Sequence, residues 1–479
     1  MNPLVGVRVP APQLEHESLS LSLTAVVLAA GQGVRMKSSL PKVLHRIGGR
    51  TLLDWVLAAV EETKPERILV VVGHGAELVT AGLPDKVEAV HQPEQLGTGH
   101  AADLALSRLD ALTDDDTVLI VYGDMPLLTS QLLATAVAAR DGHAASLVAF
   151  EAANPSGYGR VLRARTGQLE RIVEEKDASP VERKVTEVNA GVYAFAAAKL
   201  RRALSSLESK NAQNEYYLPD VLPIMKNDGG VAIVSADAAE VAGVNSHDQL
   251  AEAEAEIRAR INADWQRQGV WMQDPSRVYI EPTVILAAGV RLYPGVHLEG
   301  ATAVAAGAVI GPDVFAVDSA IGSGSRVWYS VLRSALVGDE VEVGPYASLR
   351  PGTVLEKGSK AGTFVEMKNT RVGEGAKVPH LAYMGDATVG ARTNVGAGTI
   401  TCNYNGYEKF PTTIGADAFI GSDTMLVAPV NIGDGAVTGA GSVITNDVEP
   451  GALAVERAEQ KAIPGYAQRL KARYPGKKH

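Results

Sequence analysis

The chain of 479 residues carries a single cysteine, Cys402, few aromatic residues (5%), no excess of positive charge and no long apolar run. Each scarcity removes a class of protein. One cysteine can form neither an internal disulfide nor a four-cysteine metal site, so a reducing compartment, the cytoplasm, is the expected location. Cys402 itself reads as a small packed thiol, not a nucleophile. A formal charge of −10 argues against a general nucleic-acid binder, whose phosphate contacts need a basic surface. No stretch approaches the roughly 20 apolar residues that cross a bilayer, so no membrane span is expected. Residues 1–23 lack the charged start and apolar core of a secretory signal and read as a loose leader. Residues 465–479 read as a basic, solvated tail.

What is present is enough for two or three cores, 46% of the chain being hydrophobic and 21% charged. From residue 24 to 247, β-rich runs (AVVLAA, RILVVVG, TVLIVYG, ASLVAF, GVYAF) alternate with helical patterns (LLDWVLAAVEET, QLLATAVAARD). That alternation predicts an α/β domain with a largely parallel sheet, whose ligands collect beyond the carboxyl ends of the strands. Residues 248–273 form a helical linker in this reading, because DQLAEAEAEIRARINADWQRQ has neither glycine nor proline. It reads as a connecting rod, with packing against the first domain as the alternative.

From 274 to 464 an aliphatic residue, often followed by glycine, returns every six positions. Val337, Val343, Leu349, Leu355 and Ala361 keep the interval, then Val372, Val378 and Met384, then Val389, Val395 and Thr401, then Ile414 to Ile444. Six residues make about 1.67 helical turns, so an α-helix cannot keep them on one face. A parallel β-helix can, with each hexapeptide forming one side of a coil. The segment CNYNGYEKFPTT interrupts the repeat, and such insertions become loops on one face of a solenoid.

At the end of the first apolar run the chain reads AAGQGVRMKSSLPKVLH, with Gly31, Gly33, Arg35 and Lys42 exposing backbone amides and cations where a strand stops. Something anionic is expected there. The glycines fit neither the dinucleotide fingerprint, since Met36 holds the third position, nor a P-loop. Asp124, after TVLIVYG, stands where a carboxylate can hold Mg²⁺ against substrate phosphates, or merely cap a turn. In the repeat, His380 in KVPHLAYMGD is the one candidate base, although a lone histidine in a repeat is more often structural.

The segments LAAGQGVRM, PKVLH, EQLGTGHA and YGDMPL, with the hexapeptide array behind them, closely resemble the bacterial bifunctional enzymes that act as N-acetylglucosamine-1-phosphate uridylyltransferase and glucosamine-1-phosphate N-acetyltransferase. The resemblance covers about Thr24 to Ala458. It implies a Rossmann-like nucleotidyltransferase domain followed by a left-handed β-helix, a homotrimer, Mg²⁺ as cofactor, and UTP, acetyl-CoA and the two sugar phosphates as substrates. Arg35 and Lys42 become the catalytic cations of uridylyl transfer. Leu28, Ala30, Gly31, Gln92, Gly97, Thr98 and Tyr122 fall on the nucleotide side, and Gly159, Glu174 and Asn189 on the sugar side. Asp124 and Asn245 become the metal ligands. For acetyl transfer the resemblance makes His380 the base and Glu366 its orienting carboxylate. It assigns Arg350, Lys368, Tyr383, Asn394 and Lys409 to the amino-sugar phosphate, and Asn403, Tyr404, Ser422, Ala440 and Arg457 to acetyl-CoA. The chain departs from the family pattern by one inserted residue between Gly159 and Glu174 and by Ala382 where many relatives carry threonine. A one-reaction nucleotidyltransferase whose β-helix only regulates or oligomerises, and a noncatalytic scaffold, are the competing readings. The His380, Glu366 and Lys368 set opposes the first; Lys42 and Asp124 would have no work in the second.

Overall fold

Leu23–Leu28 is the hub of the first sheet because both of its faces are apolar. Ala25, Val27 and Ala29 join one buried cluster, and Val26, Leu28 and Ala30 join the other. A strand covered on both sides reads as a continuous apolar run, which is why it was legible. In the computed structural model, which describes residues 22–475, it pairs in parallel with Arg67–Val72 and with Thr117–Tyr122. The strand order is Val231–Ser235, Ala145–Glu151, Glu187–Ala196, Thr117–Tyr122, Leu23–Leu28, Arg67–Val72, Val87–His91. Glu187–Ala196 runs antiparallel to both neighbours. The reason lies in its connection: a hairpin, Arg160–Arg163 with Leu169–Val173, precedes it where the other strands have helices, and an antiparallel neighbour needs no helical crossover. Of the expected helices, Leu52–Glu62 starts with a reciprocal cap between Thr51 and Asp54, and Ser130–Ala139 starts at Thr129.

The chain divides into two compact units between Ile257 and Arg258. The helix His247–Arg267 crosses that division. Its first half belongs to the first unit, where Ala253 and Ile257 are buried and Glu254 accepts the Gly48 N–H at 2.8 Å. Its second half belongs to the other, where Ile261 and Trp265 pack on the core and the Asn262 amide donates to the carbonyls of Pro275 and Val278. It is packed at both ends.

The second unit is built of three parallel sheets of 11, 10 and 9 short strands, visited in rotation. The first coil already includes Trp271–Met272, paired with Arg291–Leu292. One turn runs through Ser348–Leu349, Val354–Leu355 and Lys360–Thr363, and the next stacks on it as Glu366–Lys368, Arg371–Val372 and Lys377–His380. One aliphatic side chain per strand points inward, so Leu349, Leu355 and Ala361 meet Met367, Val372 and Val378 in a single narrow core. The interrupting segment is an ordered hairpin: Tyr404 bridges Lys409, and the Asn405 side chain accepts the N–H groups of Tyr407 and Glu408. Ala387 then pairs with Thr412, and the inward register resumes at Ile414.

The expected leader lies outside the described residues except for its last two positions, as do residues 476–479 of the tail. Within the described tail, Tyr466–Arg473 is an exposed helix with Lys471 and Arg473 in its last turn. Among the described residues no helix is long and apolar enough to cross a membrane.

Candidate functional site

The hub strand ends at the mouth of a cavity of about 400 Å³, lined by Leu28, Ala30, Gly31, Lys42, Gln92, Gly97, Thr98, Tyr122 and Asp124. A second cavity of about 240 Å³ shares Tyr122 and Asp124 with it and is lined by Arg35, Gly159, Glu174, Asn189 and Asn245. Every residue assigned to this end of the chain therefore lines one or the other, with Asp124 where they meet.

Local sequence explains the placement. Gly33 has φ +60, and a Cβ there would come within 2.6 Å of the Lys42 Cβ, so only glycine lets the lysine fold back against this loop. The Lys42 ammonium forms an ion pair with Asp124 and lies 3.0 Å from the Asn245 Oδ1. One cation thus gathers a carboxylate and an amide oxygen that are distant in sequence. These are hard oxygen donors aimed at one point, a set that suits Mg²⁺, which takes one or two protein oxygens and completes its shell with phosphates and water. Among the described residues no group of three or more His, Cys, Asp and Glu side chains gathers to hold a metal ion.

The smaller cavity is walled by constrained backbone. Asn189 donates its N–H to the Gly159 carbonyl at 2.8 Å, its side-chain nitrogen to the Tyr193 hydroxyl at 2.5 Å, and accepts the Gly191 N–H at 3.1 Å. Gly191, at φ +82, leaves room for the Tyr122 ring, which would lie 2.5 Å from a Cβ there. Burial pushes the Glu174 carboxyl up to about 7; Asp220 and Asp177 add to the rise and Arg160 opposes it. Burial, then the nearby Glu174 carboxylate, also raises the Tyr122 hydroxyl well above its ordinary range. Arg160 is only 1% exposed; it pairs with Glu175 at 2.5 Å and donates to the Tyr158 carbonyl, which fixes the turn carrying Gly159. Nothing in the sequence marks that role, which depends on burial. Glu215, which lines the first cavity, had no sequence signal.

At the other end, the structure sorts the expected residues onto two faces of the prism. Glu366, Lys368 and Tyr383 lie on one sheet, with Arg350 and Asn403 just past its strands. Asn394 lies on a second sheet, with Ser422, Ala440 and Arg457 shortly past its strands. His380 ends Lys377–His380, at the corner between the faces, and is exposed. The Glu366 carboxylate accepts from Arg350 at 2.8 Å and makes no hydrogen bond to His380 within the chain. Its carboxylate answers a guanidinium carried just past the neighbouring strand of the same sheet.

Lys368 lies against Lys409 with Arg350 beyond, and this crowding of cations lowers the Lys368 ammonium from its ordinary value. Like charges at such separation favour an anion between them. Gly385 leaves room for the Tyr383 hydroxyl, which would lie 2.5 Å from a Cβ there. Asn403 is 5% exposed and donates to Asp386 at 2.6 Å, so its side chain anchors the base of the hairpin, whereas Tyr404 is exposed. Arg457 donates to the Ala440 carbonyl at 3.1 Å, bringing those two together.

Residues 25–216 match the family described as MobA-like NTP transferase domain, and residues 411–446 match the six-repeat bacterial transferase hexapeptide family. The chain is 46% identical over 451 residues to the bifunctional protein GlmU of Desulfitobacterium hafniense, covering 93% of this chain and 99% of that protein. It is 47% identical over 453 residues to that of Streptomyces coelicolor, covering 93% and 94%. With that of Alkalilimnicola ehrlichii it shares 47% identity over 449 residues, covering 93% and 96%.

Proposed function

We infer the workings of the two sites from one premise: this chain belongs to the family of bifunctional GlmU proteins. It is a bifunctional transferase, with a nucleotidyltransferase domain followed by a hexapeptide acetyltransferase domain. The second domain moves an acetyl group from acetyl-CoA to glucosamine 1-phosphate. The first joins the resulting N-acetylglucosamine 1-phosphate to UTP, releasing pyrophosphate and giving UDP-N-acetylglucosamine for cell-wall synthesis. In this reading the functional limits are 24–247 and 274–464, the β-helix winds left-handed, and the enzyme works in the cytoplasm.

The observation that carries the uridylyl half is the junction of two cavities at Asp124, with Lys42 bound there. The larger cavity takes the nucleotide and the smaller takes the sugar, so the sugar phosphate and the α-phosphorus meet beside Asp124. An oxygen of the sugar phosphate attacks that phosphorus and the bond to the bridging oxygen of pyrophosphate breaks. Two polyanions must approach, and Lys42 and Arg35 reduce their repulsion and steady the leaving charge. Mg²⁺ held by Asp124 and Asn245 would add charge neutralisation at the phosphates. Lys42 then turns from these oxygens to the substrate. Glu174 and Asn189 hold the sugar hydroxyls and acetamido group.

At the second site the amine of glucosamine 1-phosphate attacks the thioester carbonyl. His380 takes the amine proton as the C–N bond forms; the tetrahedral intermediate then re-forms the carbonyl as the C–S bond breaks, and the proton passes to the sulfur so that coenzyme A leaves as the thiol. The cluster of Lys368, Lys409 and Arg350 holds the sugar phosphate. The residues assigned to each substrate are divided between two faces of one prism, which supports a site shared between neighbouring prisms and hence a homotrimer. The corner next to His380 supports the same assembly. Tyr329, Tyr346, Phe364 and Leu381 recur there once per coil, each with positive φ and each exposed by 39% or more. Tyr346 and Phe364 stack at 5.2 Å. Large apolar side chains in an uncommon backbone conformation, turned outward in a row, suit a subunit contact.

A split assay tests the reading. Asp124→Ala should abolish pyrophosphate formation and spare thiol release from acetyl-CoA, while His380→Ala should do the reverse. Loss of both activities from either change, in well-folded protein, would refute two separate sites.

A further inference from the structure

The larger cavity contains a buried amide whose orientation two acceptors fix. Gln92 is 3% exposed and follows the strand Val87–His91. Its Nε2 donates to the Gly97 carbonyl at 3.1 Å and lies 3.1 Å from Nδ1 of His100. A carbonyl oxygen has no hydrogen to give, so the amide atom facing Gly97 must be nitrogen, and the flipped arrangement would set two acceptors against each other. The second hydrogen of Nε2 then points to His100, whose Nδ1 must be the bare nitrogen of a ring protonated at Nε2. Both amide hydrogens are engaged. Oε1 makes no hydrogen bond with the described residues and belongs to a side chain that lines the cavity.

The local fold makes this arrangement possible. Gly97, at φ +108, opens the nine-residue helix Thr98–Leu106, and a Cβ there would stand 2.5 Å from the Tyr216 carbonyl oxygen. The helix therefore begins tight against that segment, and His100, its third residue, reaches back to Gln92.

We propose that His100 is the positioning residue for nucleobase choice: by accepting the second amide hydrogen it leaves Gln92 only an acceptor to offer the base. An acceptor at that edge suits uracil, which presents a ring N3–H. Cytosine presents a lone pair at the same position, and the two acceptors would face each other in a buried pocket. A site built to pair with one donor rejects the analogue lacking it because buried groups are left unsatisfied. The inference rests on the reading above that this cavity takes the nucleobase.

The test measures kcat/KM for pyrophosphate release by the full-length protein with UTP and with CTP, at saturating N-acetylglucosamine 1-phosphate. His100→Leu should lower the preference for UTP over CTP by about tenfold, mainly through the KM for UTP, with the KM for the sugar phosphate unchanged. His100→Phe, which keeps a ring but no acceptor, should do the same and guards against a folding defect in the first variant. His100→Asn, whose Oδ1 can stand where Nδ1 stood, should restore most of the preference. Equal losses with both nucleotides in the Leu and Phe variants, or an Asn variant no better than they are, would overturn the role of His100. Gln92→Met separates that failure from the deeper one. Should it leave the UTP preference and KM untouched, the base does not lie at Gln92 and the reading of the cavity falls with the proposal; should it erase the preference while His100→Leu and His100→Phe retain it, only the role of His100 falls.

Discussion

The two candidate sites differ in how a chain closes a pocket. In the first unit, parallel strands end side by side, and Gly31, Gln92 and Asp124 arrive at one point from three different strands. In the second, strands stack along an axis and their side chains leave three faces in three directions, so Lys368 and Ser422 follow different sheets. A twisted sheet gathers chemistry at its edge; a prism disperses it. The sheet can build a pocket from one chain, whereas in the reading proposed above the prism works against a neighbouring surface.

The sharpest way to break that contrast is to disturb the corner ladder. Tyr346→Glu places a charge among stacked aromatic rings and should reduce acetyl transfer by on the order of 100-fold or more while leaving uridylyl transfer within about twofold, as trimers give way to monomers in sedimentation. A monomeric variant with full acetyl transfer would mean that the prism needs no neighbour after all. A smaller effect is expected from the cation cluster. Lys409→Ala should raise the KM for glucosamine 1-phosphate by roughly tenfold, with little change in the KM for acetyl-CoA, because a charged phosphate contact is lost. An unchanged KM would remove Lys409 from the sugar site.

The smallest effect sharpens the other side of the comparison, the enclosure of the sheet's pocket. Burial raises the Glu174 carboxyl from 4.5 to about 7, so between these values the folded chain holds a proton that the unfolded chain has released. The resulting destabilisation is absent below about pH 4.5, grows with pH and is complete above about pH 7, where it reaches about 3 kcal/mol. Glu174→Gln should therefore gain stability relative to the parent at pH 8 and none at pH 4.5, measured by denaturant melts of the first unit's transition. As the carboxylate forms it becomes a better acceptor for sugar hydroxyls, so the KM for N-acetylglucosamine 1-phosphate should fall severalfold from pH 6 to 8 in the parent and stay flat in the variant. A parent profile as flat as the variant's would place Glu174 outside the sugar's reach.

The same contrast governs what could be read in advance. The prism was legible because its core repeats: each inward aliphatic residue is set by the one a coil earlier. The register was plainest from Val337 onward, yet Leu286, Leu292, Leu298, Val304 and Ile310 keep the same step and are as deeply buried. Shorter steps, such as those from Ala316 to Ile321 and from Val327 to Leu332, blur the pattern between these two stretches. In the sheet, fully buried strands were visible as apolar runs, but the reversed direction of Glu187–Ala196 was not, since direction depends on what connects strands. Lys42 and Asp124 were visible through motifs, while their contact belongs to the fold. Asn245 would not have been chosen from its own neighbourhood; only resemblance pointed to it. His100 lies inside the quoted EQLGTGHA and Arg160 follows Gly159, but their meaning depends on burial and on which atoms they face, which no spacing encodes.

The hairpin between Thr401 and Thr412 carries a wider lesson. The coil before it closes on Val395 and the one after it on Ile414 and Ile420, so the stack regains its register as though nothing had intervened. Each coil thus acts as a self-contained cassette held mainly by its neighbours above and below. Such an architecture lets a protruding loop be lengthened, shortened or exchanged during evolution without unwinding the column that bears it, and new chemistry can be tried at the rim while the scaffold stays put.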